Sequence, residues 1–142
     1  MNIAIGSDHA GYKLKNFITA YLVKNKNIVF DVGTFTEESC DYPEFAKKAA
    51  RLILSKKAKS GVLICKSGIG MTMAANRHKG IRAALCRDIK SARLSREHNN
   101  ANILVLGSAF TKKEPAKKIC GIFLKTKFAE GRHLRRIRSL DR

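Results

Sequence analysis

Residues 61–75 read GVLICKSGIGMTMAA, and this stretch decides the fold. Its first five residues are apolar or small, which predicts a short buried strand ending at Cys65. The glycines at positions 68 and 70 then predict a tight turn, and the residues up to Ala75 predict a short helix. A buried strand that turns directly into a helix is typical of a parallel sheet whose two faces are covered by helices.

The same alternation continues on both sides of this stretch. Apolar runs predict four further strands, at residues 2–6, 28–32, 81–85 and 103–106. Apolar residues at helical spacing predict helices between the strands, and Asp88 is a suitable N-cap for the helix that ends near His98. Thr111 and Glu114 have the spacing of a capping box that opens the next helix. A last, basic helix is predicted over roughly 133–139.

Five strands joined by helices form right-handed βαβ units. We therefore predict an α/β fold, a single doubly wound (Rossmann-like) domain with a five-stranded parallel sheet, helices on both faces and a C-terminal basic helix. The sequence has no internal repeat and no low-complexity linker. One domain is therefore predicted over residues 1–142.

The chain is strongly basic, with 29 Lys and Arg against 11 Asp and Glu and a formal net charge of +18. The density of positive charge is highest towards the C-terminus, since residues 111–142 carry 11 of the basic and 3 of the acidic side chains. Such a charge attracts the phosphate groups of a metabolite, a nucleic acid or a membrane surface. No helix-turn-helix, zinc finger or aromatic RNA-binding motif accompanies it, so we expect no specific nucleic-acid partner.

The four cysteines, at positions 40, 65, 86 and 120, are widely spaced and form no C-x-x-C or zinc-binding pattern. The N-terminus lacks the basic and apolar regions of a secretory signal, and the longest apolar runs are too short to span a bilayer. We therefore expect a cytoplasmic protein with reduced thiols, no membrane association and no catalytic metal.

Ligands of doubly wound sheets bind at the carboxyl ends of the strands, where this sequence has an acid, a histidine, a thiol and a glycine-rich turn. The turn offers backbone N–H groups to an anion, and the following helix together with Lys66 favours the thiolate form of Cys65. Arg132 and Arg136 stand four residues apart, a spacing that suits a phosphate on one side of a helix. The pattern alone leaves open a structural cysteine, a capping role for Asp8 and a solvated face for the arginines.

Seven motifs appear in order along nearly the whole chain: Gly6-Ser-Asp-His-Ala-Gly11, Asp41-Tyr-Pro43, Ile64-Cys-Lys-Ser-Gly-Ile-Gly70, Ala74-Ala-Asn76, Gly80-Ile-Arg-Ala83, Leu94-Ser-Arg-Glu-His-Asn99 and Gly131-Arg-His133. Together they closely resemble ribose-5-phosphate isomerase type B and its sugar-phosphate isomerase relatives. The resemblance implies an enzyme of the pentose phosphate pathway that interconverts ribose 5-phosphate and ribulose 5-phosphate through an enediolate, without a cofactor. The alternatives are an allose-6-phosphate or galactose-6-phosphate isomerase (or a subunit of one) and, from another class, a basic nucleic-acid-binding protein.

The resemblance also implies a role for each matching residue. Cys65 is the base that moves a proton between C1 and C2, and His98, assisted by Asp8, opens the furanose ring. The developing oxyanion is stabilised by the hydroxyl and backbone amides of the turn, at Ser67, Gly68, Ile69 and Gly70. The phosphate is bound by His9, Arg132 and Arg136, and Tyr42, Lys66 and Asn99 also contact the substrate.

The predicted topology adds an inference about assembly. The helix that ends near His98 returns to the opposite edge of the sheet, which places His98 far from Cys65 of the same chain. If both serve one site, His98 comes from a second subunit. We therefore predict a homodimer, or a dimer of dimers, with sites shared between subunits.

Three positions depart from the pattern of the family. Lys66 stands where relatives commonly have Gly, which puts a long cation beside the base. Ala109 stands where many relatives have Arg, so one phosphate contact is missing. Met71 replaces the Glu that serves as base in the branch lacking the cysteine, so this chain is of the cysteine type.

Overall fold

The computed structural model describes residues 1–140. These residues form five strands and six α-helices that alternate along most of the chain. In chain order they are β1 (Asn2–Ser7), α1 (Tyr12–Lys24), β2 (Ile28–Asp31), α2 (Tyr42–Leu54), β3 (Ser60–Cys65), α3 (Ile69–Ala75), β4 (Ala83–Leu85), α4 (Ile89–Asn99), β5 (Ile103–Gly107), α5 (Lys113–Lys125) and α6 (Arg132–Arg138). A short 3-10 turn, His9–Gly11, connects β1 to α1. The predicted doubly wound α/β fold is confirmed.

All five strands are parallel, in the order β2-β1-β3-β5-β4. The chain reverses its direction of winding between β1 and β3, which makes this the switch point at which ligands of such sheets bind. Ser7 pairs with Ile64, and Cys65 pairs with Gly107. The carboxyl ends of β1, β3 and β5 therefore lie side by side.

Alternate residues of each strand enter two separate apolar layers, as the period of two dictates. Ile3, Ile5 and Ile64 pack with α1, α4 and α5 on one face of the sheet. Ala4 and Cys65 pack with α2 and α3 on the other face. Helices thus cover both faces, and none of those within residues 1–140 combines the length and apolarity needed to cross a membrane.

Two of the predicted helix starts are confirmed. Asp88 caps α4, because its carboxylate accepts a hydrogen bond from the Ser91 N–H at 2.7 Å. The basic helix α6 begins at Arg132, one residue before the predicted start, which brings Arg132 and Arg136 onto one side of it.

Two predictions about local structure are wrong. The capping box at Thr111 does not form, because α5 begins at Lys113 and the Thr111 hydroxyl makes no hydrogen bond. The Thr111 N–H instead bonds to the Gly107 carbonyl in a turn. The fourth strand begins at Ala83 rather than Ile81, because the Ile81 N–H bonds back to His78 in the preceding turn.

A buried ion pair joins α1 to the end of β2. Lys15 is 1% exposed, and its ammonium donates to Oδ2 of Asp31. The other oxygen of Asp31 accepts the Gly33 N–H at 2.9 Å, so this pair also holds the loop that follows β2.

Replacing Lys15 with methionine is expected to lower the free energy of unfolding by about 2–3 kcal/mol, because it leaves the Asp31 carboxylate without its cation. Urea unfolding followed by circular dichroism measures the change. Lys24→Met, an exposed lysine on the same helix, is the control and should change stability little. Equal stabilities of the two variants would contradict a stabilising role for the pair.

Candidate active site

Hydrogen bonds beyond the strand ends draw three loops around one crevice. The Asp8 N–H donates to the Ile64 carbonyl at 3.3 Å, and the Ser108 N–H donates to the Cys65 carbonyl at 2.9 Å. The Ser108 hydroxyl then reaches across to the Ala10 carbonyl at 2.9 Å. The loops after β1, β3 and β5 are therefore tied together at the switch point of the sheet.

The turn between β3 and α3 directs a backbone donor at a thiol. Cys65 is 4% exposed, and its Sγ accepts a hydrogen bond from the Gly68 N–H at 3.1 Å. Gly68 has a φ of +80°, and a Cβ there would lie 2.4 Å from Cδ1 of Leu85. Glycine is thus required for this turn, and the donor that it positions stabilises negative charge on the sulfur.

The same turn has a further backbone donor without a partner. The Ile69 N–H donates a hydrogen bond to the Ser67 hydroxyl oxygen at 3.2 Å. The Gly70 N–H has no hydrogen-bond partner among residues 1–140. An uncommitted N–H in the first turn of a helix is a donor for a developing oxyanion.

Tyr42 forms a wall of the crevice from the first residue of α2. A Cβ on Gly70 would lie 2.6 Å from Cζ of the Tyr42 ring, so glycine at 70 allows the ring to approach the turn. Tyr42 is 37% exposed, which leaves part of the ring open to a ligand. The predicted contact residues of the turn and Tyr42 are therefore brought together.

His9 is held by a residue that sequence reasoning missed. Its Nδ1 accepts the Cys40 N–H at 3.2 Å, which leaves Nε2 as the ring nitrogen available to a ligand. The Cys40 thiol lies 4.0 Å from the same nitrogen. The isolated motif around His9 could not indicate this partner, because Cys40 lies in a polar loop 31 residues away.

Asp8 has the capping role that the sequence left open. Its carboxylate accepts the Gly11 N–H at 3.0 Å and so closes the 3-10 turn that carries His9. Asp8 is 7% exposed. In one chain, this carboxylate thus positions His9 rather than His98.

A second group of predicted site residues lies on the C-terminal helices. His98, at the end of α4, stacks on His133 of α6, with ring centroids 4.3 Å apart and an interplanar angle of 9°. Burial lowers the pKa of His133, and the nearby charges of His98, Arg132 and Arg136 lower it further. Asn99 follows His98. One basic cluster therefore contains four predicted site residues, the catalytic His98 and the substrate-binding Asn99, Arg132 and Arg136, together with His133, which was not among the predicted site residues.

The predicted site residues thus form two groups, the first around Cys65 and His9 and the second around His98. The two groups lie at opposite ends of the sheet. Four residues after His98, the Asn102 carbonyl accepts the Gly61 N–H at 2.8 Å, at the start of β3. Cys65 is at the other end of that strand, four residues after Gly61 and about 13 Å away at the usual rise of about 3.3 Å per residue. His98 and Cys65 of one chain are therefore far apart. This separation is the one that the predicted topology required.

A cavity of about 890 Å³ opens beside the first group. Its wall includes His9, Lys66, Ser108 and Ala109, together with the start of α5. The volume is ample for a small phosphorylated sugar. Within residues 1–140, no three His, Cys, Asp or Glu side chains are grouped closely enough to hold a metal ion.

Comparisons with known proteins agree with one another. A family model described as Ribose/Galactose Isomerase matches residues 3–140. Ribose-5-phosphate isomerase B of Escherichia coli is 41% identical, over 97% of this chain and 93% of that protein. The crystal structure of a ribose 5-phosphate isomerase from Thermotoga maritima superposes with a TM-score of 0.97 at 52% identity, covering 99% of this chain and 97% of the other. For ribose-5-phosphate isomerase B of Clostridium thermocellum the TM-score is 0.98 at 45% identity, with 99% and 95% covered.

Proposed function

This chain belongs to the ribose/galactose isomerase family, and we propose that, as an isomerase of that family, it interconverts ribose 5-phosphate and ribulose 5-phosphate through an enediolate. The observation that carries the proposal is the turn after β3. There a buried thiol accepts a backbone hydrogen bond, and the first turn of the following helix has an N–H without a partner among residues 1–140.

The turn supplies what an aldose–ketose isomerisation requires. The Cys65 thiolate removes the proton from C2 of the open-chain aldose, and the electron pair moves onto the oxygen at C1. The Gly70 N–H and the Ser67 hydroxyl donate to the enediolate oxygens. Cys65 then returns the proton to C1, while the proton of the C2 hydroxyl passes to the oxygen at C1, which gives the ketose.

The remaining predicted residues act on the rest of the substrate. His98, assisted by Asp8, opens the furanose ring. His9, Arg132 and Arg136 bind the phosphate, while Tyr42, Lys66 and Asn99 contact the sugar chain.

The separation of the two groups supports a shared site. Because Cys65 and His98 lie at opposite ends of one chain, both can reach one substrate only if a second chain contributes one of them. The protein is accordingly a homodimer or a dimer of dimers. Its compartment is the cytoplasm, where the four free cysteines stay reduced.

The comparisons favour ribose over the alternative sugars. The relatives from Escherichia coli, Thermotoga maritima and Clostridium thermocellum are all named as ribose-5-phosphate isomerases. The alternatives of a dedicated allose or galactose phosphate isomerase, and of a nucleic-acid-binding protein, gain no support from them.

The purified protein is expected to convert ribose 5-phosphate to ribulose 5-phosphate in the presence of a chelator, because every group in the proposed steps belongs to the chain. The ketose is measured directly by its absorbance or by a coupled assay. Allose 6-phosphate and galactose 6-phosphate are assayed beside it and should turn over more slowly. A folded protein that prefers either hexose phosphate, or turns over none of the three, would contradict the proposal.

A further inference from the structure

The loop between β2 and α2, residues 32–41, folds over the end of β1 next to His9. Its start extends the pairing of the two strands, since the Ser7 N–H donates to the Gly33 carbonyl at 2.6 Å and the Thr34 N–H donates to the Ser7 carbonyl at 2.7 Å. Ser7 lies two residues before His9 in the chain. The start of this β2–α2 loop is therefore fixed relative to the 3-10 turn that contains His9.

A buried cation anchors the same part of the β2–α2 loop. Lys15 of α1 is 1% exposed, and its ammonium donates to Asp31, whose other oxygen accepts the Gly33 N–H at 2.9 Å. The ammonium also lies over the Phe35 ring, 5.1 Å from its centroid. Lys15 thus contacts the loop through an ion pair at its start and through an aromatic ring further along. Such an anchor resists displacement, because breaking it leaves a buried charge without its partner.

The end of the β2–α2 loop contacts the candidate active site. There the Cys40 N–H donates to Nδ1 of His9 at 3.2 Å. The Cys40 side chain is half-buried and packs against the apolar layer beneath α2 and α3, which holds its backbone in place. In the middle of the loop, Glu37 pairs with Lys13 at 2.9 Å, but both side chains are exposed, so this pair restrains the loop little.

We propose that the β2–α2 loop positions His9 for the substrate, with Cys40 and Lys15 as positioning residues that act through the imidazole ring. The inference rests on the proposed function, because His9 is one of the residues that contact the substrate in it. A hydrogen bond to Nδ1 restricts the rotation of the ring and leaves Nε2 available to a ligand in the cavity that His9 lines. A side chain that is ordered before the substrate arrives loses less entropy on binding it.

Replacing Cys40 with proline tests the proposal, because proline has no N–H and so deletes the bond to His9. We expect KM for ribose 5-phosphate to rise by about fivefold, the effect of losing one ordinary hydrogen bond. Since Cys65 and the turn after β3 are unchanged, kcat should fall by a smaller factor. Cys40→Ala keeps the N–H and should keep KM within about twofold of the wild type.

Ser39→Pro is the matched control for the effect of proline itself. Ser39 is exposed in the same loop, and its N–H has no hydrogen-bond partner among residues 1–140. This variant should have the KM of the wild type. An equal rise in KM for Ser39→Pro and Cys40→Pro would assign the effect to a stiffened loop and overturn the role of the Cys40 N–H.

A double-mutant cycle with His9→Ala shows whether the loop acts through the imidazole. Cys40→Pro and Lys15→Met should each raise KM in the wild type but leave it unchanged in His9→Ala, because no ring is then left to position. The lower stability expected of Lys15→Met persists in both backgrounds, so the cycle separates it from the effect on KM. Increases in KM that persist in full in His9→Ala would overturn the proposal.

The imidazole 15N resonances of His9 report on the hydrogen bond without any turnover. We expect the Nδ1 resonance to shift in Cys40→Pro and to stay in place in Cys40→Ala. An unchanged resonance in Cys40→Pro would contradict the bond and with it the positioning role.

These measurements keep the two proposals distinguishable. If the wild type isomerises ribose 5-phosphate but the effects of Cys40→Pro and His9→Ala on KM are independent, the positioning role fails and the proposed function stands. If the wild type does not isomerise ribose 5-phosphate while the Nδ1 resonance of His9 moves in Cys40→Pro alone, the loop still positions His9 and the proposed function fails.

Discussion

Replacing Cys65 with alanine is expected to lower kcat for ribose 5-phosphate by about a thousandfold, because the substitution removes the base that transfers the proton. The substrate should still bind with a similar affinity, since the phosphate contacts and the donors of the turn remain. Single-turnover assays and inhibition by inorganic phosphate separate the two effects.

The control for this variant is Cys120→Ala, which deletes the same atom from another buried cysteine. Burial in the apolar layer beneath α5 raises the pKa of Cys120 to about 12, so its thiol is inert at neutral pH. Cys120→Ala should lose some stability and keep its activity. A Cys65→Ala protein that is folded and turns over like this control would exclude Cys65 as the base.

The sheet was predictable because its signals are local and repeated. Residues 61–65 form a wholly buried strand, and Gly68 requires the left-handed backbone that turns it into α3. Asp88 was equally readable as an N-cap, since the hydrogen bond it accepts spans three residues. Each of these features is specified within a few consecutive residues, where propensity and periodicity act.

The contacts that complete the site depend on tertiary packing instead. Cys40 contacts His9 only because the loop after β2 folds over the end of β1. His133 stacks on His98 only because α6 packs against α4. No spacing in the sequence encodes either contact, although the position of His133 beside Arg132 in a basic helix was a usable signal.

Thr111 shows how a correct local pattern can fail. A threonine three residues before a glutamate is a sound capping signal, but here the turn after β5 takes the Thr111 N–H, and the helix starts two residues later. The hydroxyl is then buried and unpaired beside a basic cavity. The turn after β5 therefore overrides a capping signal that is sound within its own four residues.

Mixing two inactive proteins is expected to restore activity if sites are shared between chains. A Cys65→Ala chain retains His98, and a His98→Ala chain retains Cys65. In a mixed dimer, one site receives both intact residues and the other receives neither. Random exchange at equal concentrations makes half of the dimers mixed, so about a quarter of the wild-type activity should return.

Sites built within single chains would give a different recovery of activity. If each site were built within one chain, every site in a mixed dimer would still lack either Cys65 or His98, and no activity would return. Subunit exchange is verified independently by mass spectrometry of chains carrying different tags. Proven exchange without recovery would contradict the shared site, and with it the explanation for the separation of Cys65 from His98 along the length of β3 in one chain.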